Sequence, residues 1–198
     1  MKKTCIVALV VAGMPGSGKG VFSDVARSKG FEVYVMGDVI REELVKRGMQ
    51  VTRENMAYMA REVRRLYGED FVARRIVEKI LASKGREVLG CRFVIIDGSR
   101  SPAELELFRR SFSSVVLIAI HSNPETRYKR LVLRGREGDP REWDEFVARD
   151  ASELSLGLGS LIALADVMIV NEDIDLDGFR KKASEVLDYI KNRWGCGC

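Results

Sequence analysis

Gly13, Gly16, Gly18 and Lys19 fall into the spacing G-x-x-x-x-G-K within the stretch GMPGSGKG. Glycines so placed let successive backbone N–H groups turn inward around phosphate oxygens. The helix that follows adds its positive end, and the lysine reaches the outer phosphates. The run Gly13, Met14, Pro15, Gly16, Ser17, Gly18, Lys19, Gly20 and Val21 is therefore the candidate cradle for a nucleotide's phosphates. One part is missing. Gly20 and Val21 stand where many such loops carry a Ser or Thr hydroxyl for Mg²⁺, and Ser17 and Ser23 are the hydroxyls nearby. Magnesium at this loop is expected on phosphates, water and a carboxylate. Asp97, which closes the apolar run FVIID and precedes Gly98, is the candidate: a strand-end aspartate beside such a loop can orient metal-bound water.

The cations needed around a transferring phosphate lie further along. In MGDVIRE, Asp38 can cap the helix it opens, and Arg41, one turn in, points back towards the strand ends. Its planar fork suits a phosphate bidentately. Arg100 follows Asp97 in DGSRS, and Arg61, Arg64 and Arg65 share one helix, with Arg64 taken as the member facing an acceptor. Arg134 and Arg136 sit in the polar stretch RGREGDP, with Arg130 and Arg149 to either side and Gly135 and Gly138 as flexible points. Phosphoryl transfer requires cations that close over the phosphates and exclude water, so 134–141 reads as a short lid. The one histidine, His121, is read as structural, because this chemistry rests on positioning and charge neutralisation.

Five apolar, β-rich runs must position these residues: Cys5–Ala12, Phe31–Met36, Phe93–Asp97, Val115–Ile120 and Val167–Val170. Runs apolar on both faces are what a parallel sheet covered by helices demands. The intervening segments switch to helical period. SPAE at Ser101–Glu104 is a capping box with proline at the first helical position, and NPET at Asn123–Thr126 repeats the device. The expected fold is a three-layer α/β P-loop domain over 1–198, a five-stranded parallel sheet with helices on both faces. A helical acceptor-binding insertion is expected over 38–83, with a stop at Gly48 and a restart near Thr52.

The chain has 198 residues, and 33 basic against 29 acidic side chains leave a net charge of +4. Such balance argues against nucleic acid as a partner. The run MKKTCIVALVVAG leads into a Gly-rich loop without a small-residue cleavage site, so it reads as a buried strand. No segment approaches the ~18–20 apolar residues of a membrane span, and a cytoplasmic location is expected. The four cysteines suggest no disulfide framework; Cys5 reads as a buried thiol and the tail WGCGC as a frayed end.

GMPGSGKG resembles the loop of adenylate kinases, where glycine also follows the lysine and threonine comes next; the match ends at Val21. MGDVIRE resembles their nucleoside-monophosphate-binding stretch, and DGSRS is similar to their Asp-Gly-aromatic-Pro-Arg segment, shortened by one residue. The lid resembles that of short nucleoside-monophosphate kinases, and RDASEL resembles an Arg-Asp segment of cytidylate kinases. ADVMIVNED is similar to the final strand of dephospho-CoA kinases, where backbone and an asparagine, here Asn171, border the adenine. Together these resemble an archaeal family of adenylate-kinase-related P-loop proteins. The resemblance implies ATP and Mg²⁺ as cofactors and a small-molecule acceptor, an AMP-like nucleoside monophosphate in first place. It gives Lys19 and the loop to the donor and Asp97 to the metal through water. Asp38, Arg41, Arg100 and Arg64 fall to the acceptor, and Arg134 and Arg136 to the transferring phosphate. Two other readings stay open: a dephospho-CoA kinase-like enzyme with Asp38 as base towards a sugar hydroxyl, and a nucleotide-dependent switch or assembly factor.

Overall fold

The computed structural model of the chain describes residues 5–85 and 90–194. β1 (Cys5–Ala12) is buried along its whole length, because its alternate residues feed two separate cores. Ile6, Ala8, Val10 and Ala12 enter one, and Cys5, Val7, Leu9 and Val11 the other. β3 (Cys91–Asp97) is likewise buried throughout. With β2 (Glu32–Val35), β4 (Ser114–His121) and β5 (Val167–Val170), these strands form a five-stranded parallel sheet in the order β2-β3-β1-β4-β5.

Helices cover both faces. On one lie α1 (Lys19–Ser28) and α9 (Leu176–Arg193), contributing Phe22, Ala26, Phe179, Ala183, Leu187 and Ile190. On the other lie α2 (Met36–Lys46), α3 (Arg53–Tyr67), α4 (Phe71–Ala82), α5 (Pro102–Ser111) and α8 (Leu158–Ala163), whose apolar stripes include Leu44, Met59, Val63, Ile76, Phe108 and Leu161. α6 (Pro124–Arg134) and α7 (Trp143–Ser155) follow β4 and flank the stretch expected as a lid. The three-layer α/β class expected from the strand pattern is the fold observed.

Local chemistry sets the ends of these elements. Ser101 accepts from the Glu104 N–H while the Glu104 carboxylate reaches back to the Ser101 N–H, the capping box written in SPAE. Asn123 caps α6 by accepting from the Thr126 N–H, and Thr52 caps α3 by accepting from Asn55. Asp38 departs from its expected capping role. β2 runs straight into α2 at Met36, and Asp38 lies inside the first turn, where its charge complements the helix dipole and pairs with Arg41. The cysteines depart too. Cys5 and Cys91, at the far ends of β1 and β3 from the loop, are disulfide-bonded rather than free thiols. Cys196 and Cys198 lie outside the described residues.

The parallel register brings the chemistry to one end of the sheet. Val11 pairs with Asp97, Ala12 with Ala119 and Val35 with Asp97, so the strands finish at a common level. β1 lies between β3 and β4, at the point where the chain's winding reverses. That switch opens the crevice in which doubly wound sheets bind ligands.

Candidate functional site: a cationic cleft over the Gly-rich loop

The loop between β1 and α1 is held by its carbonyls. Pro15 O accepts from the Arg127 guanidinium at 3.2 Å, and Ser17 O accepts from the Asn171 amide at 2.9 Å. Lys19 Nζ donates to Gly13 O at 2.5 Å and to Met14 O at 3.2 Å. Glycine is required at two of the turns. Gly16 has φ +83°, and a Cβ there would lie 2.8 Å from Arg127 O; Gly18 has φ +111°, and a Cβ would lie 2.6 Å from the Asn171 amide nitrogen. Gly20 is different: a Cβ built on it meets nothing within 4 Å.

Above the loop lies a cavity of about 440 Å³. Its floor is Gly13, Pro15, Gly16, Gly18, Lys19, Gly20 and Val21. Asp97 and Arg100 line it from the end of β3, Arg130, Arg134 and Arg136 from α6 and the following turn, and Arg149 and Glu153 from α7. Met14 and Ser17 turn the other way: Met14 packs in the core, and the buried Ser17 hydroxyl has no hydrogen-bond partner among the described residues.

The charges here are strongly coupled. Lys19 is only partly covered as a residue, yet loss of solvent around its ammonium group pulls its pKa down to about 8. Asp97 and Glu153 oppose that shift, while Arg100 and Arg149 reinforce it. Asp97 is 8% exposed and accepts a 2.7 Å hydrogen bond from Ser23 Oγ. Glu153 Oε2 lies 3.2 Å from Arg100 Nε. Asp139 gathers the lid: Arg134 grips it with two nitrogens, at 2.8 and 2.5 Å, while the Arg136 N–H and Arg149 also donate to it. Burial works against the Asp139 charge, but these donors, Arg134 foremost, hold its pKa below the ordinary aspartate value. Burial and then the Arg53 charge lower Arg149 from the usual arginine value.

The structure thus brings together Lys19, Asp97, Arg100, Arg134 and Arg136 of the residues expected from sequence. Besides Met14 and Ser17, four others lie outside the lining: Asp38, Arg41, Arg64 and Asn171. Asp38 and Arg41 pair with each other, each side chain about half exposed, at the same end of the sheet. Arg64 is buried, 3.0 Å from Glu104 Oε1, tying α3 to α5. Asn171 is also buried and braces the loop from beneath, so it does not border the cavity. Arg127, which the sequence shows only as one of the arginines running along this helix towards the lid, is 3% exposed, makes a bidentate pair with Asp150 at 2.9 and 2.6 Å, and lies over the Phe146 ring. In NPETRYKR it is one basic residue among several, and nothing in the spacing marks it as buried. Glu153 was within the quoted RDASEL, but its partner Arg100 is 53 positions away, beyond any local pattern.

Among the described residues no group of three or more His, Cys, Asp and Glu could hold a metal ion. The Asp97 carboxylate in the cavity would suit a hard cation such as Mg²⁺, which takes one or two carboxylates and completes its shell with phosphate oxygens and water.

The family model of the AAA domain matches residues 12–146. A UPF0200 protein of Hyperthermus butylicus is 46% identical over 182 residues, covering 92% of this chain and 94% of that one. One from Methanopyrus kandleri is 47% identical over 184 residues, covering 92% and 89%. Among solved structures, a gluconokinase from Sinorhizobium meliloti superposes with a TM-score of 0.57 at 16% identity, covering 94% of each chain. A shikimate kinase from Acinetobacter baumannii, in complex with shikimate, gives 0.57 at 16% identity, covering 97% and 96%. At such identity these two show a shared fold. The relatives at 46–47% over nine-tenths of the chain show more: with its AAA-domain match, the chain belongs to the UPF0200 family.

Proposed function

We propose that this protein transfers the γ-phosphoryl group of ATP to a small phosphorylated acceptor, an AMP-like nucleoside monophosphate. The observation that carries this reading is the single cavity in which the loop backbone and Lys19 face Asp97, Arg100, Arg134 and Arg136. The loop amides and Lys19 hold the donor's phosphates. Asp97 would hold Mg²⁺ through water, and the ion would neutralise negative charge on the donor's phosphates. Arg100 leaves Glu153 to grip the acceptor's phosphate, and Arg134, released from Asp139, covers the transferring group together with Arg136 and excludes water. Asp38 and Arg41 join the acceptor when α2–α4 closes inward, and Arg64 supports that segment through Glu104. Among the described residues no helix is long and apolar enough to cross a membrane, and a cytoplasmic setting suits an ATP-dependent reaction.

Glu153 favours a second reading. A carboxylate in the cavity can accept the proton of an acceptor hydroxyl, the role that the sequence offered to Asp38. The acceptor is then an alcohol, as in a dephospho-CoA kinase-like reaction. Labelled ATP with a panel of nucleoside monophosphates and hydroxyl acceptors, dephospho-CoA among them, separates the two. The first reading expects ADP formation with a nucleoside monophosphate far above the basal rate. Turnover of a hydroxyl acceptor alone would install the second. Tight ATP binding with slow hydrolysis and no acceptor effect would instead identify a nucleotide switch.

A further inference from the structure

The loop lacks the hydroxyl that commonly follows its lysine, and the structure holds a buried hydroxyl one helical turn further on. A serine inside a helix ordinarily bonds back to the carbonyl four residues earlier, or faces water. Ser23 does neither. It is 1% exposed, and its Oγ donates at 2.7 Å to Asp97 Oδ2, joining α1 to the end of β3 across 74 positions of sequence. Asp97 lines the cavity beside Lys19, whereas the position after the lysine presents only the open space around Gly20.

We infer that Ser23 is a positioning residue for the metal: it fixes the Asp97 carboxylate towards the donor's magnesium and so supplies, from the second turn of α1, the function that a hydroxyl at Gly20 would serve. The physical argument is one of orientation. An aspartate has two free side-chain torsions, and a carboxylate that acts through water must present one oxygen steadily. A buried hydroxyl on Oδ2 leaves the other oxygen for the cavity. Partners that orient a metal-binding carboxylate typically alter metal affinity by about 10–100-fold when removed.

This inference rests on the functional reading above, and the test keeps the two apart. Calorimetry measures ATP affinity with and without Mg²⁺, and electron paramagnetic resonance follows Mn²⁺ bound with the nucleotide. The variants are Ser23→Ala, Asp97→Asn and the double substitution. In Ser23→Ala, metal-dependent ATP affinity and Mn²⁺ affinity should fall about 10-fold, while metal-free ATP affinity holds. On the Asp97→Asn background, Ser23→Ala should add nothing, because the two act as a unit. Equal loss with and without metal would reveal a packing role and overturn the inference, as would unchanged Mn²⁺ affinity. Should the alanine variant not fold, Ser23→Cys fills the same space with a weak donor and must show the same split. If the unaltered protein binds no nucleotide at all, the functional reading fails and this inference with it. If it binds Mg²⁺ and ATP while Ser23→Ala behaves identically, only the assignment of Ser23 fails.

Discussion

Lys19 shows how a residue's type and its surroundings decide separate things. The type and spacing mark it as a phosphate ligand; burial among carbonyls pulls its pKa down to about 8, from 10.5 in the open chain. A bound polyphosphate favours the charged ammonium and raises that value again. Nucleotide binding should therefore take up a proton around and above pH 8, and affinity should weaken as pH rises through that value. Titration calorimetry in two buffers of different ionisation enthalpy reads the uptake directly. The same shift acts on stability. Between about pH 8 and 10.5 the unfolded chain holds more protons than the folded one, so this residue makes the ligand-free protein more stable as pH rises across that window. Arg127 is the opposite case, one arginine among several in the sequence and central in the fold. Arg127→Ala would leave Asp150 without its partner in the middle of α7, and should cost about 3–5 kcal/mol in denaturant unfolding. Residue types thus pointed to Lys19 and Asp97, which line one cavity, but which of the many arginines are structural depends on contacts such as Arg127–Asp150 and Arg64–Glu104. Those contacts join positions 23 and 40 apart, and no periodicity carries them.

Elements were more legible than residues, because each is fixed by local rules. β1 and β5 have the ends that their apolar runs suggest, and Ser101, Asn123 and Thr52 cap the helices they precede. β2 was less so: Phe31 packs in the core ahead of the strand, and Met36 already belongs to α2, since apolar character alone does not separate a strand from the helix that adjoins it. At the loop, Gly16→Ala combines a left-handed φ with a contact of 2.8 Å to Arg127 O. It should cost about 1–3 kcal/mol of stability and weaken ATP binding with it, both readable by thermal unfolding with and without nucleotide. For the segment α2–α4, Arg41→Ala is the decisive variant. If α2 closes onto the acceptor, the substitution weakens acceptor binding by about 2–5 kcal/mol; unchanged affinity would leave Arg100 as the acceptor's cation.

At the scale of the whole molecule, a net charge of +4 conceals a concentrated site: one lysine and five arginines line a single cavity with Asp24, Asp97 and Glu153 among them. Binding of a polyphosphate there should stabilise the entire fold by mass action. Nucleotide at 100 times its Kd adds about 2.7 kcal/mol, a rise of about 5–10 °C in Tm for a chain of this length, and added salt should diminish it. The braced loop has one more consequence. Pro15 O and Ser17 O accept from Arg127 and Asn171, Gly13 O and Met14 O accept from Lys19, and Met14 O also accepts from the Ser17 N–H, so the loop's carbonyls are held in place. A phosphate bound there as proposed would meet carbonyls already fixed, and its recognition would leave the moving to Lys19 and to the guanidinium groups overhead.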